Sequence, residues 1–206
     1  TAMGAKVLHF DWIDDFAAAR NAAIEAATQP WILSLDADQV LASESASALV
    51  TALQRSDCMA QVVTIDLYGP STMHPNTTTG KSEVELSFKS LRLFRNHPQI
   101  RFSGRVHEDV SKSLLSMGQG HWPDSGVVLA DHGYVHPQER DRKRERNLLL
   151  LRRLHQEVLE SADLAVETEF RRAVRVESVD DLLLLPDFLL RIATCGREIL
   201  ARGIRM

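Results

Sequence analysis

The stretch Trp31-Ile32-Leu33-Ser34-Leu35-Asp36-Ala37-Asp38 is apolar almost throughout and then stops on two carboxylates one residue apart. A short apolar run of this kind reads as a buried strand, and its acidic end as the place where the strand emerges at the C-terminal edge of a sheet. Open α/β sheets place their ligands at that edge. Two carboxylates this close repel each other unless a cation or a basic partner lies between them. A divalent metal is one such cation. Mg²⁺ and Mn²⁺ take oxygen ligands and commonly bridge carboxylates to phosphates, so Asp36-Ala37-Asp38 can hold a nucleotide diphosphate. An acidic turn at a strand end accounts for the same residues equally well.

Upstream of this strand, Lys6 to Phe10 reads as a further short strand. Asp14 or Asp15 then caps an Ala-rich helix over Phe16 to Ala27, with Phe16, Ala19, Ala23, Ile24 and Ala27 on one face. Downstream, Ser43 to Gln54 reads as a helix and Gln61 to Tyr68 as a strand rich in Val, Ile and Thr. That alternation predicts an α/β fold with a mostly parallel, Rossmann-like sheet and flanking helices. Gly69 to Ser82, with Pro70, Pro75, three consecutive Thr and Gly80, reads as an exposed, mobile loop. Strands are expected over Leu86 to Arg95, Ile100 to Phe102 and Val127 to Val135. A charged helix follows from Gln138 to about Glu160, and a last helix follows Pro186. The change of composition divides the chain into a core over residues 1–137 and a helical region over 138–206.

With 206 residues, 44% of them hydrophobic, the chain can bury a sizeable core. Its 24 Lys+Arg against 28 Asp+Glu leave a net charge of -4, which steers it toward no nucleic acid. The apolar runs Leu148 to Leu151 and Leu182 to Leu185 are cut short by Arg152 and Pro186, so no transmembrane segment is expected. Cys58 and Cys195 form neither a disulfide framework nor a zinc site. A reducing, cytoplasmic setting follows, with peripheral attachment at the inner membrane surface as the further expectation.

Two later segments carry chemistry. Gly104-Arg105-Val106-His107-Glu108 and Asp131-His132-Gly133-Tyr134-Val135-His136 each combine a His with neighbours suited to acid, base or metal work. A hydrogen-bonded structural His is the commoner meaning of either segment alone.

In order along the chain, these segments resemble inverting GT-A glycosyltransferases of family 2, in the lipopolysaccharide-core-type branch. The resemblance runs from about residue 4 to 150. It is carried by Gly4-Ala5-Lys6-Val7 leading into Trp12, Asp14-Asp15-Phe16-Ala17 with Arg20-Asn21, and Trp31-Ile32-Leu33 with the Asp-Ala-Asp end. Leu91-Arg92-Leu93-Phe94-Arg95, Val106-His107-Glu108, and His132-Gly133-Tyr134 with Lys143, Arg146 and Asn147 continue it. The resemblance implies a GT-A fold and transfer of a sugar from a nucleotide-sugar donor to a glycan or other hydroxyl acceptor, with inversion. Asp36 and Asp38 would bind Mn²⁺ or Mg²⁺ and the donor diphosphate, with His132 as a further metal ligand or phosphate contact. Glu108 would be the catalytic base. Arg20 and Asn21 would either touch the donor or form a buried pair tying their helix to the Asp-Ala-Asp strand. Arg95 would be a phosphate partner or an edge-strand solubiliser. Gln39 stands where many members carry an acid.

Family members begin with a strand, helix and strand that hold the base and ribose, and this sequence reads as starting after them. That N-terminal truncation predicts weak, base-indifferent donor binding, little turnover, and a sheet edge beside Lys6 to Phe10 that seeks a homo-oligomeric partner. Two other readings compete. An incomplete fragment can persist as a binding or assembly module. A haloacid-dehalogenase-like phosphatase would use Asp36 as nucleophile and Asp38 as acid/base, with Thr64, Lys81 and Asp180-Asp181 in support.

Overall fold

Asp15 starts the first helix, its carboxylate accepting from the Ala18 backbone N–H at 2.9 Å. Helix α1 spans Phe16–Glu25 and buries Ala17 and Ile24. In the computed structural model, which describes residues 4–69, 83–133 and 137–161, strands β1 (Trp31–Leu33) and β2 (Gln39–Leu41) flank the Asp36-Ala37-Asp38 turn. A 3-10 turn over Ser43–Ser45 leads into α2 (Ala46–Leu53), followed by β3 (Ala60–Gly69), β4 (Glu83–Arg95), α3 (Ser111–Ser116), β5 (Asp124–Asp131) and α4 (Pro137–Ser161). The chain forms two compact units, Thr1–Leu150 and Leu151–Met206. In the second, the described residues continue α4, and Leu151, Leu154 and His155 are buried there.

The five strands form one sheet in the order β1-β4-β3-β5-β2. It is mixed, not mostly parallel: β3 and β5 pair in parallel, and the other three pairings are antiparallel. The alternation of helix and strand does orient β1 and β3 the same way, since both run antiparallel to β4. They are not neighbours because β4, which pairs with β3 from Gly69↔Glu83 to Ala60↔Phe94, inserts between them.

The two faces of the sheet bury separate clusters. Leu91, Phe94 and Ala60 pack with Ala17 and Ile24 of α1 and with Ile100, Phe102, Val110 and Leu114. Val63, Ile65, Leu93, Val127 and Leu129 pack with Ala52 of α2. Adjacent residues such as Leu93 and Phe94 fall in different clusters, as alternation along a strand requires. Leu91 shares the Phe94 face because the register skips a residue. Gln61 opposes Leu93 while Val62 opposes Leu91, leaving Arg92 as the extra residue of a β-bulge.

Three expected strands differ. Lys6 to Phe10 forms no strand, because no described strand lies beside it to complete a ladder; Val7 is 65% exposed and Trp12 50%. Ile100 to Phe102 is buried but irregular. Asn21 occupies both backbone groups of Phe102, accepting from its N–H at 2.9 Å and donating to its carbonyl at 3.0 Å, where a strand partner would otherwise stand. Strand β5 begins at Asp124 and ends at Asp131, three residues earlier at its start than expected. Of the loop expected over Gly69 to Ser82, Gly69 instead ends β3; residues 70–82, the segment 134–136 and the helix after Pro186 lie outside the described residues.

Candidate active site

The C-terminal end of β1 is where the charged residues converge. Arg20, one helical turn into α1, donates from Nη2 to Asp36 Oδ1, from Nε to Glu108 Oε1, and from Nη1 to Ser34 Oγ at 3.1 Å. One guanidinium thus joins α1, the end of β1 and the segment after Gly104. Its planar fork suits this, because the five N–H groups are fixed relative to one another. Phe102 lies beneath it, 5.3 Å from guanidinium carbon to ring centroid.

Asp36 has a second arginine. Arg92 Nη2 donates to Asp36 Oδ2 at 3.2 Å, and the Arg92 carbonyl accepts from Ser34 N–H at 2.8 Å. The bulge brings this about: an extra residue in β4 re-aims its own side chain toward the strand end. Burial pushes the Asp36 carboxyl up, but Arg92 and Arg20 outweigh it and hold the group below the usual carboxylate range. Burial likewise pulls the Arg20 guanidinium down, and Glu108 and Asp36 more than reverse this.

Glu108 is delivered by a tight turn. Gly104 has φ 105° and His107 φ 55°, both left-handed, while Val106 is buried and anchors the turn in the core. The Glu108 side chain is only 9% exposed. The neighbouring Asp109 carboxylate accepts from Ser111 N–H at 2.8 Å and from the Ser111 hydroxyl, so it serves the start of α3.

Asp38 is held differently. Lys143, in the first turns of α4, donates from Nζ to Asp38 Oδ2, and the Asp38 carbonyl accepts from His132 N–H at 3.0 Å. The His132 ring stacks on Tyr68, 4.9 Å between centroids. Gly133 lies against the Asp38–Lys143 pair so closely that a Cβ there would fall on both Oδ2 and Nζ. Gln39 closes the arrangement from below: its Oε1 accepts from Asp36 N–H at 3.1 Å and its Nε2 donates to buried Asp131 at 2.9 Å. An amide that donates and accepts at once does here what a carboxylate could not.

The structure therefore brings Arg20, Asp36 and Glu108 into one hydrogen-bonded set, with Asp38 two residues beyond Asp36. Asn21 sits apart, on Phe102. His132 adjoins Asp38 through its backbone, and among the described residues no group of three His, Cys, Asp or Glu is arranged to hold a metal. Arg95 lies at the opposite end of β1, stacked 4.1 Å over the Trp31 ring and donating to the Arg55 carbonyl. Thr64, required by the phosphatase reading, accepts from exposed Lys89 in mid-strand at 2.7 Å; Lys81 and Asp180-Asp181 lie outside the described residues. Sequence reasoning did not single out Arg92 or Lys143 as site residues. Both stand among the residues that carry the family resemblance, but locally Arg92 reads as a cation inside an apolar strand and Lys143 as part of the charge run of α4.

The profile of glycosyl transferase family 2 matches residues 2–108, just over half of the chain, from before α1 to Glu108. The chain belongs to glycosyl transferase family 2. Arg20, Asp36, Arg92 and Glu108 all lie within the family 2 stretch, whereas His132, Gly133 and Lys143 lie beyond it. A TPR repeat-containing protein of Synechococcus elongatus is similar to this chain, 41% identical over 153 residues, which is 71% of the chain and 34% of that protein. The chain spans about a third of that relative's length. Among the described residues, no helix is long and apolar enough to cross a membrane.

Proposed function

We propose that this chain transfers a sugar from a nucleotide-sugar donor to an acceptor hydroxyl with inversion, using Mn²⁺ or Mg²⁺ at Asp36 and Asp38. We assign it to the lipopolysaccharide-core-type branch of the family, which its motifs resemble. The observation that carries the reading is the charge count at the strand end. Three carboxylates, Asp36, Asp38 and Glu108, meet three cations, Arg20, Arg92 and Lys143. Among the described residues these six charges balance, each cation being paired with a carboxylate, which leaves little net positive charge for a diphosphate. A divalent cation would supply it, polarising the phosphate oxygens and stabilising the leaving diphosphate.

The residues fit that cation. Asp36 and Asp38 offer oxygen, which hard divalent ions prefer, and Asp38 already carries the Lys143 ammonium as a stand-in cation. Two carboxylates with substrate phosphates and water are a common ligand set for Mg²⁺. His132, exposed and stacked on Tyr68, is assigned to the donor phosphates ahead of the metal. Arg92 Nη1, buried and without a hydrogen-bond partner among the described residues, is a further donor for them.

Glu108 is the proposed base. Arg20 holds its Oε1, which fixes the carboxylate, and the other oxygen takes the proton of the acceptor hydroxyl. That hydroxyl oxygen attacks the anomeric carbon as the bond to the diphosphate oxygen breaks, which inverts the centre. Glu108→Gln should retain donor binding and lose turnover by about 10² to 10⁴-fold, measured as nucleotide release with and without acceptor. Retained turnover would move the role to His107. A second reading, a binding module without turnover, draws on the same Arg20–Glu108 pair, because a carboxylate oxygen occupied by a guanidinium is not open to an acceptor hydroxyl. Donor binding with no release of nucleotide under any condition would favour it.

A further inference from the structure

We propose that Lys143 is a resident counter-ion of Asp38, which a divalent cation must displace and which then serves the bound diphosphate. The proposal rests on the metal reading above and adds a positioning residue outside the family 2 stretch.

The two aspartates are held by unlike partners. Asp36 is gripped from α1 and from the β4 bulge by two guanidiniums, rigid forks that match a carboxylate and release it reluctantly. Asp38 is held by an ammonium, a point charge on a flexible four-carbon stem that can move several ångströms without disturbing its helix. Lys143 and Asp38 are also partly open to solvent, their side chains 21% and 32% exposed.

Gly133 is the second, independent observation. A Cβ at this position would fall on both members of the pair and come within 2.8 Å of Asp38 Cγ. The backbone cannot simply retreat, because Gly133 N–H is held by Asp131 Oδ1 at 2.9 Å and His132 N–H by the Asp38 carbonyl at 3.0 Å. The space that glycine leaves bare is thus the space in which the ammonium meets the carboxylate. A divalent ion on Asp38 and an ammonium held against the same carboxylate repel each other, so they compete for it. Once displaced, the ammonium remains tethered beside Asp38, within reach of the phosphates that follow the metal.

Mn²⁺ binding to the full chain, read from the loss of the free-ion electron paramagnetic resonance signal and without nucleotide, tests the first half. Lys143→Met should bind Mn²⁺ about tenfold more tightly than the unaltered chain, Lys143→Arg should not, and Asp38→Asn should lose the ion. The second half has the opposite sign: at saturating Mn²⁺, Lys143→Met should bind a nucleoside diphosphate about tenfold more weakly. A lysine that merely braces the fold would weaken both. Unchanged or weaker Mn²⁺ binding in Lys143→Met, with the ion still lost in Asp38→Asn, would overturn the proposal and leave the metal reading standing. Absence of Mn²⁺ binding in every variant would overturn both.

Discussion

At the scale of single residues, Arg20 decides how the site holds together. It is largely buried between two carboxylates, and removing one partner of a buried ion pair costs more than the pair contributes, because the remaining charges lose their solvent and their counter-ion together. Arg20→Met should therefore destabilise the chain by about 3 kcal/mol in urea unfolding. Arg20→Lys should recover only part of this, since an ammonium cannot satisfy Asp36, Glu108 and Ser34 in one plane. Asp36 makes the same pairing dependent on pH. Its folded-state value is depressed, so its contribution is fully present above the unfolded value of about 3.9 and is lost as pH falls through the lower folded value. The stabilities of the unaltered chain and of Asp36→Asn, measured from pH 7 downward, should converge below about pH 4. A constant gap down to pH 2 would mean that ion pairing is not what Asp36 contributes.

At the scale of elements, two local irregularities aim the site. The β4 bulge turns Arg92 toward Asp36, and the left-handed His107 turns Glu108 toward Arg20. His is among the non-glycine residues that tolerate that region, whereas a β-branched side chain is not. His107→Val should cost about 1 to 2 kcal/mol in thermal or urea unfolding and weaken the Arg20–Glu108 contact, seen as a loss of rate with little change in donor binding. These irregularities mark the limit of what could be read in advance. The Asp15 cap, α1, α2, β3, β4 and α4 follow local rules of periodicity and capping, and were legible. The three-residue β2 is too short to show a period, and α3 is barely longer. A bulge depends on the register of two distant strands, which no local pattern carries. Phe102 left the expected strand because a side chain 81 residues away took its backbone groups.

At the scale of the whole molecule, the sequence named segments that the structure brings together at the end of β1, but not how their charges balance. Asp36, Asp38, Glu108 and Arg20 could be named from motifs. Their counter-ions Arg92 and Lys143 come from a strand interior and a charge run, where a cation ordinarily means solvation. Among the described residues the outer strands of the sheet are β1 and β2, each three residues long, and short edges resist pairing. Exposed Val7, Leu8, Phe10, Trp12 and Ile13 offer apolar area instead. Self-association in solution, which we propose, should therefore weaken in Trp12→Ser with Val7→Ser, read by sedimentation velocity; an unchanged distribution would exclude this face. The central claim, that the β1 end binds the diphosphate of a sugar nucleotide through a divalent cation, is tested most directly by calorimetric titration of a nucleoside diphosphate with and without Mn²⁺. The account predicts binding that Mn²⁺ strengthens in the unaltered chain and not in Asp38→Asn. Undiminished metal dependence in Asp38→Asn would contradict it.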